Sequence, residues 1–303
     1  MKISLALGSG GARGLAHIGA IEVLEAEGYE ISSVSGTSIG AVIGGLYAAG
    51  KLDVFTDWIC NMDRMDIFGL MDWTLNAQGF IKGDKVFNQI KKMIGQHNIE
   101  DLRIPYYAIS ADINSKKEVR FGTGDLFTAM RASVAIPSVL TPLNINNMTL
   151  VDGGVMNPVP TDVLFDREGE KLFAIDLNAH IPYSKPTTID KKKNAENKKA
   201  QSLWSASFQE SLQKWLSSSP KQEEEKPNYF NIINQSFDLM QDKLAAISLQ
   251  KYPPEVLIQI SRYAADTFEF FRAEELIEAG RMAARKALEE NRTPPELPDA
   301  KSV

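Results

Sequence analysis

The sequence predicts an α/β fold in three layers (α/β/α), with helices on both faces of a mainly parallel central sheet. Three observations carry this. Strand-like apolar runs alternate with segments of helical periodicity. The first forty residues read strand, glycine-rich turn, helix, short strand, sharp turn, helix, a βαβ unit that implies parallel pairing and a right-handed crossover. A late strand near 256–260 is expected to rejoin the first sheet, so 303 residues without an internal repeat read as one domain over 1–290 with an insertion, not as two domains.

"KISLAL" (2–7) is a short buried strand, and "GSGGARG" (8–14) follows it directly. In "LAHIGAIEVLEAEG", Leu15, Ile18, Ile21, Val23 and Leu24 recur at helical spacing, and Gly28 stands where a helix-terminating glycine belongs. The second strand ends "SSVSG" and leads through a sharp turn into the helix "IGAVIGGLYAAG". Further strands are "YYAISA" (106–111), "KEVRF" (117–121), "MTLVD" (148–152), "KLFAID" (171–176) and "VLIQI" (256–260). Helical patterns lie over 85–95 and 125–134, in "YFNIINQSFDLMQDKLAAI" and in the closing "AEELIEAGRMAARKALEEN".

Residues 184–227 are polar and charged and read as an exposed, mobile insertion. Inside it Leu203, Trp204, Phe208, Leu212, Trp215 and Leu216 share one helical face. An amphipathic stripe usually faces a core. Two tryptophans with lysines nearby also suit a lid or a membrane interface, so Trp204, Phe208, Leu212 and Trp215 are the candidate peripheral membrane contact. A dimer contact, giving a homo-oligomer, would use the same face. The Pro-rich tail 291–303 is expected to be disordered.

Composition narrows the function. A net charge of -6 argues against nucleic acid as a partner, because phosphate neutralisation needs a basic face. One cysteine, Cys60, allows no internal disulfide. Three histidines (His17, His97, His180) without HxxxH or CxxC spacing give no metal site. The run Ile3–Leu7 is too short for a signal-peptide core, and no apolar run reaches spanning length, so the expectation is a cytoplasmic protein, peripheral to a membrane at most.

Gly36-Thr37-Ser38-Ile39-Gly40 between a strand and a helix is a nucleophile elbow. Gly36 and Gly40 clear room around Ser38, and the following helix aims its free N–H groups and positive end at it. The glycines of Gly8–Gly14 let backbone N–H groups converge on an anion. A dinucleotide site would instead want a carboxylate at the end of the second strand, and "SSVSG" has none. Ser38 then needs a base. His17 reads as a packed core histidine, and His97 lies in a polar connection. His180 would complete a Ser–Asp–His order. Asp152 in "LVDGGVMNPVP" is the better candidate: it ends a strand, Gly153 and Gly154 permit close backbone approach, and burial would raise its basicity.

Together, "GSGGARG", "GTSIG", "AMRASVAIPSVLTP" and "DGGVMNPVP" resemble the patatin-like phospholipases over about residues 1–180, and the closing strand and helix resemble them more loosely. The family's glycine pattern departs at Ser9, while Gly10 and Gly14 are kept. The resemblance implies a dyad without histidine, Ser38 as nucleophile and Asp152 as base. It implies an oxyanion hole at Gly10, Gly11 and Ala12, beside Arg13. It implies a lipid substrate, hydrolysis of phospholipid, lysophospholipid or related acyl esters through an acyl-enzyme, and no cofactor. Two other outcomes fit the same residues: an acyltransferase using Ser38, and a lipid-binding regulator without turnover.

Overall fold

The computed structural model describes residues 1–72, 81–137, 139–187 and 229–292, leaving out the side chains of 229–231, 233 and 234. Among these, eight strands form one sheet: β1 (Lys2–Leu7), β2 (Glu30–Thr37), β3 (Tyr106–Asp112), β4 (Lys117–Phe121), β5 (Leu143–Ile145), β6 (Met148–Asp152), β7 (Lys171–Ala179) and β8 (Val256–Ser261). Their order is β5-β6-β3-β2-β1-β7-β8, and β4 also pairs with β3. From β3 to β8 the pairings are parallel; β4, β5 and β6 join antiparallel. The late strand β8 does rejoin the sheet, beside β7.

A central parallel strand is covered on both faces, which explains the unbroken apolar runs of β1 and β7. Alternate residues divide between the faces. Ile3, Leu5, Leu7, Phe173, Ile175 and Leu177 join the main core, whereas Ala6, Leu172 and Ala174 join a smaller one. The main core is roofed by α1 (Ala16–Ala26), α2 (Ile39–Ala48), α3 (Leu52–Cys60), α5 (Asp84–Ile94), α6 (Leu126–Ser133) and α8 (Ala273–Arg292). The opposite face is thinner. There α7 (Tyr229–Lys251) contributes Ala245, and the chain around Val159–Leu164 supplies the rest.

β2 shows how sequence positions the functional end. Ser33, Ser35 and Thr37 are buried on one face, and each hydroxyl donates to the 157–170 segment: to Glu170 (2.8 Å), to the Pro160 carbonyl (2.8 Å) and to the Asn157 carbonyl (2.7 Å). Three polar residues in a buried strand are tolerated because all three are satisfied.

Helices α1 and α8 cross at glycines. A Cβ on Gly19 would lie 1.9 Å from the Ile277 carbonyl oxygen, and one on Gly280 would lie 1.9 Å from that of Ala16. Both obstacles are backbone, so neither can swing aside. Gly280→Ala should therefore lower stability by about 2–4 kcal/mol despite alanine's better helix propensity. A melting or urea curve unchanged from the parent would refute this crossing.

Three elements leave weak signals in the sequence. α3 buries only Phe55 and Ile59, a stripe one turn long. α4 (Arg64–Leu70) has seven residues and is held by a capping box between Asp63 and Asp66. β5 is three residues long, and its hairpin turns on Asn146 and Asn147, both at positive φ (47° and 63°). The expected disordered tail is corrected at its start. α8 continues to Arg292, whose Nη2 donates to Glu27 at 2.8 Å and ties the last turn to the end of α1. Lys185 at the beginning of the insertion pairs with Glu275 at 3.1 Å. Trp204, Phe208, Leu212 and Trp215 lie outside the described residues, as does 293–303. No described helix is long and apolar enough to cross a membrane.

Candidate active site

The carboxyl ends of β2 and β6 bring together the two residues singled out from sequence. Ser38 links β2 to α2 at φ 57°, ψ -124°, a region that side chains rarely adopt. The strain is built in by close packing. A Cβ on Gly40 would stand 2.2 Å from the Leu7 carbonyl oxygen, and one on Gly36 2.3 Å from that of Gly40. Only glycine fits on either side of the serine, and the elbow throws the Ser38 side chain to the head of α2.

The strained backbone has an anchor that sequence reasoning missed. Ser38 N–H donates to Ser133 Oγ at 2.9 Å, and the Ser133 hydroxyl donates in turn to the Ile109 carbonyl. Ser133 is fully buried at the end of α6. Ser133→Ala would leave the nucleophile's own N–H unsatisfied. We expect kcat to fall about 10- to 100-fold with KM little changed, as a small displacement of a reacting group does. Equal falls in kcat for Ser133→Ala and for a surface control such as Ser236→Ala would show that the anchor is irrelevant.

Asp152 is buried at the end of β6. Its Oδ1 accepts from Gly154 N–H at 2.7 Å, while Oδ2 has no hydrogen-bond partner of regular geometry among the described residues. Burial pushes its carboxyl up from 3.8 to about 7; the Ser38 hydroxyl and the Gly154 N–H oppose that rise. The serine thus acts on this carboxyl without closing a full bond, a common state of a catalytic pair before substrate binds. Gly153 is required by space, since its Cβ would meet the Ile109 carbonyl oxygen at 2.3 Å.

Asn157 ties the two halves together, a role the sequence did not announce. Its carbonyl accepts from Thr37 Oγ1 beside the nucleophile, and its N–H donates to the Gly153 carbonyl beside the base at 2.8 Å. Its Nδ2 donates to Glu118 (3.0 Å) and Asp162 (2.7 Å), which both pair with Arg120.

The glycine-rich loop differs in one donor from the expectation. Gly8 N–H donates to Ile175 (2.9 Å), Ser9 N–H to Pro158 (2.8 Å) and Ala12 N–H to Thr267 (2.9 Å), all backbone carbonyls. Ala12 is therefore corrected: its N–H is held by the β8–α8 connection and does not face an oxyanion. The backbone N–H groups of Gly10 and Gly11 have no acceptor among the described residues, whereas Arg13 lies inside the 3-10 turn Gly11–Leu15. Gly11 needs its hydrogen side chain at φ 57°, and Gly10 presses on Leu177, where a Cβ would come within 2.6 Å. Gly14 admits Ile39 in the same way, at 2.2 Å.

The Arg13 side chain braces this loop and does not line the oxyanion site. Its buried guanidinium donates to the carbonyls of Leu177 (3.0 Å), Ala265 (2.8 Å) and Arg262 (3.3 Å) and to Asn178 Oδ1 (2.7 Å). Asn178 Nδ2 returns to the Ser9 carbonyl at 2.9 Å. Ser9, where the motif would have glycine, is thus held from both its N–H and its carbonyl.

The histidines engage other partners. His17 is fully buried with Nε2 2.9 Å from the Gly8 carbonyl, and burial lowers its pKa to about 4. His97 contacts the Ile94 carbonyl (2.8 Å), and His180 contacts Asp242 (2.9 Å) and Arg262 (2.7 Å). A surface concavity of about 520 Å³ near Leu164–Arg167 and Pro253–Glu255 lies toward the opposite end of β7 and holds no such serine–carboxylate pair. No group of three metal-ligating side chains occurs among the described residues.

The site joins a strained serine and unengaged amides, at the ends of the parallel strands β2 and β1, with a carboxyl poised near neutrality at the end of the antiparallel strand β6, the parts of an acyl-transfer centre. The model of the patatin-like phospholipase family matches residues 5–165. An NTE family protein of Mycobacterium bovis is 32% identical over 329 aligned residues, covering 95% of this chain and 91% of the relative. Lysophospholipase NTE1 of Saccharomyces cerevisiae is 33% identical over 185 residues, which are 58% of this chain and 11% of that much longer protein. Among solved structures, VipD from Legionella pneumophila aligns with a TM-score of 0.45 and 12% identity over 95% of this chain and 67% of its own.

Proposed function

The chain belongs to the patatin-like phospholipase family, and from that premise we propose that it is a serine acyl hydrolase acting on phospholipid or lysophospholipid esters through a Ser38–Asp152 dyad. The observation that carries this is the buried Asp152 carboxyl, raised to about 7 and acted on by the hydroxyl of a serine strained into an elbow. The name of the yeast relative supports lysophospholipids as the substrate class.

In this reading Ser38 Oγ attacks the acyl carbonyl carbon as its proton passes to Asp152. The tetrahedral oxyanion takes hydrogen bonds from the free N–H groups of Gly10 and Gly11, with the positive end of α2 adding to the field. Collapse expels the alcohol, which takes the proton back from Asp152 and leaves the acyl group on Ser38. Water then attacks the acyl-enzyme by the same steps and releases the fatty acid.

Two measurements test the proposal. A fluorophosphonate probe should label the folded chain at Ser38, and a panel of phospholipids and lysophospholipids should release free fatty acid. Absence of labelling would return the protein to a lipid-binding role without turnover. Transfer of the acyl chain to an added alcohol, with little free acid, would make it a transferase on the same nucleophile.

A further inference from the structure

Helix α7 has one face on the site and an opposite face that no described residue covers. On the inner side, Gln241 Nε2 stands 2.1 Å from where a Gly154 Cβ would be, beside the carboxyl of Asp152. Ala245 is buried and Ser248 Oγ donates to the Val159 carbonyl at 3.1 Å, fixing the same face to the sheet. On the outer side Ile232, Leu239, Met240 and Ile247 are 46%, 70%, 56% and 48% exposed. At 100° per residue these four fall within a sector of about 100°, centred opposite Gln241.

The charges on α7 are sorted between its faces. Its carboxylates, Asp238 and Asp242, both turn to Arg262, at 3.7 and 2.7 Å, and Asp242 also meets His180. The apolar sector contains no acid. Lys243, one turn from both Leu239 and Ile247, is exposed in its middle, and Lys251 flanks its end. Large aliphatic side chains with a lone cation and no anion among them suit an anionic lipid surface, where the chains enter the acyl region and the lysine reaches the head groups.

We propose that this outer face of α7 docks the protein on the surface of a membrane. The proposal rests on the lipid-ester reading of Ser38 and Asp152, and it adds where the substrate is met. One helix diameter, about 10 Å, separates the stripe from the Asp152 end of β6. Docking here brings the dyad to the depth of the ester region without any segment crossing the bilayer.

The test uses the full chain carrying Ser38→Ala, so that vesicles survive the assay, and phosphatidylcholine vesicles with and without phosphatidylglycerol. The triple variant Leu239→Ser, Met240→Ser, Ile247→Ser should bind at least about tenfold more weakly than its parent. Lys243→Glu should weaken binding to the anionic vesicles and leave binding to neutral ones unchanged. The same substitutions with Ser38 intact should keep turnover of a short soluble ester, which shows that fold and dyad are sound. Vesicle binding that is absent in the parent, or undiminished in the triple variant, overturns the docking face whatever the chain hydrolyses. A dimer converted to monomer by the triple variant, with vesicle binding unchanged, assigns the stripe to a second copy and overturns it too. If vesicle binding falls as expected but no lipid ester is ever cleaved, the docking face stands and the hydrolase reading falls.

Discussion

Replacing Ser38 with alanine should abolish ester hydrolysis, lowering kcat by about 10³-fold or more, as loss of a covalent nucleophile does. The residue also carries backbone strain at φ 57°, ψ -124°, of about 1–3 kcal/mol. Alanine keeps the Cβ and hence the strain. Glycine removes it, at the expense of a floppier unfolded chain worth about 0.4–1 kcal/mol. Ser38→Gly should therefore melt about 1–4 °C above Ser38→Ala while both are inactive. The pair separates two explanations of the elbow. A geometry imposed by packing around Gly36 and Gly40 predicts the glycine gain; a relaxed turn predicts none. Hydrolysis surviving in Ser38→Ala would place the nucleophile elsewhere.

The sequence showed the parts of this site that need unusual residues at fixed places. Gly36, Gly40 and Gly153 are legible because backbone carbonyls occupy the space a side chain would take. The same holds for Ser38 and Asp152, which stand between or beside those glycines. Ser133 was not legible: its hydroxyl meets the Ser38 N–H across 95 residues, and a serine in the last turn of a helix has many ordinary uses. The resemblance implied Ala12 as an oxyanion donor, and no local pattern shows that the Thr267 carbonyl takes its N–H. Arg13 could be read as an anion ligand or a brace. The choice depends on acceptors at Leu177, Asn178, Arg262 and Ala265, all remote in sequence. The strands of the sheet other than the three-residue β5 were legible, but α3 and α4 were not. Their buried stripes are too short for periodicity to register. For α7 the helix was visible, while its division into a site face and an open face emerged only from its contacts.

Asp152→Asn should be inactive and yet more stable than the parent at alkaline pH. The folded-state value of about 7, against 3.8 for an ordinary aspartate, means that the folded chain holds this proton more tightly than the unfolded chain does. Each tenfold change in an ionisation equilibrium is worth about 1.4 kcal/mol, so ionising this carboxyl in the folded protein is unfavourable by an amount on the order of 4 kcal/mol. The penalty is absent below pH about 4, where both states are protonated. It grows as pH rises and is complete above about 7. Asparagine has no such charge. Its amide oxygen can still accept from Gly154 N–H, and its amide nitrogen can donate to the Ser38 hydroxyl. Melting curves of the two proteins should thus coincide near pH 4 and separate progressively to pH 8, with the variant higher. Activity runs the other way. A base must be deprotonated to accept the serine proton, so kcat/KM of the parent should rise tenfold per pH unit below about 7 and level off above it. Asp152→Asn should show no such limb, because it has no proton acceptor. Two results would overturn the raised carboxyl: an acid limb near 4 in the parent, or a variant less stable than the parent at pH 8. Either would mean that the carboxylate is ionised in the folded state at neutral pH, whereas an acid limb that survives in Asp152→Asn would remove Asp152 from the base's role.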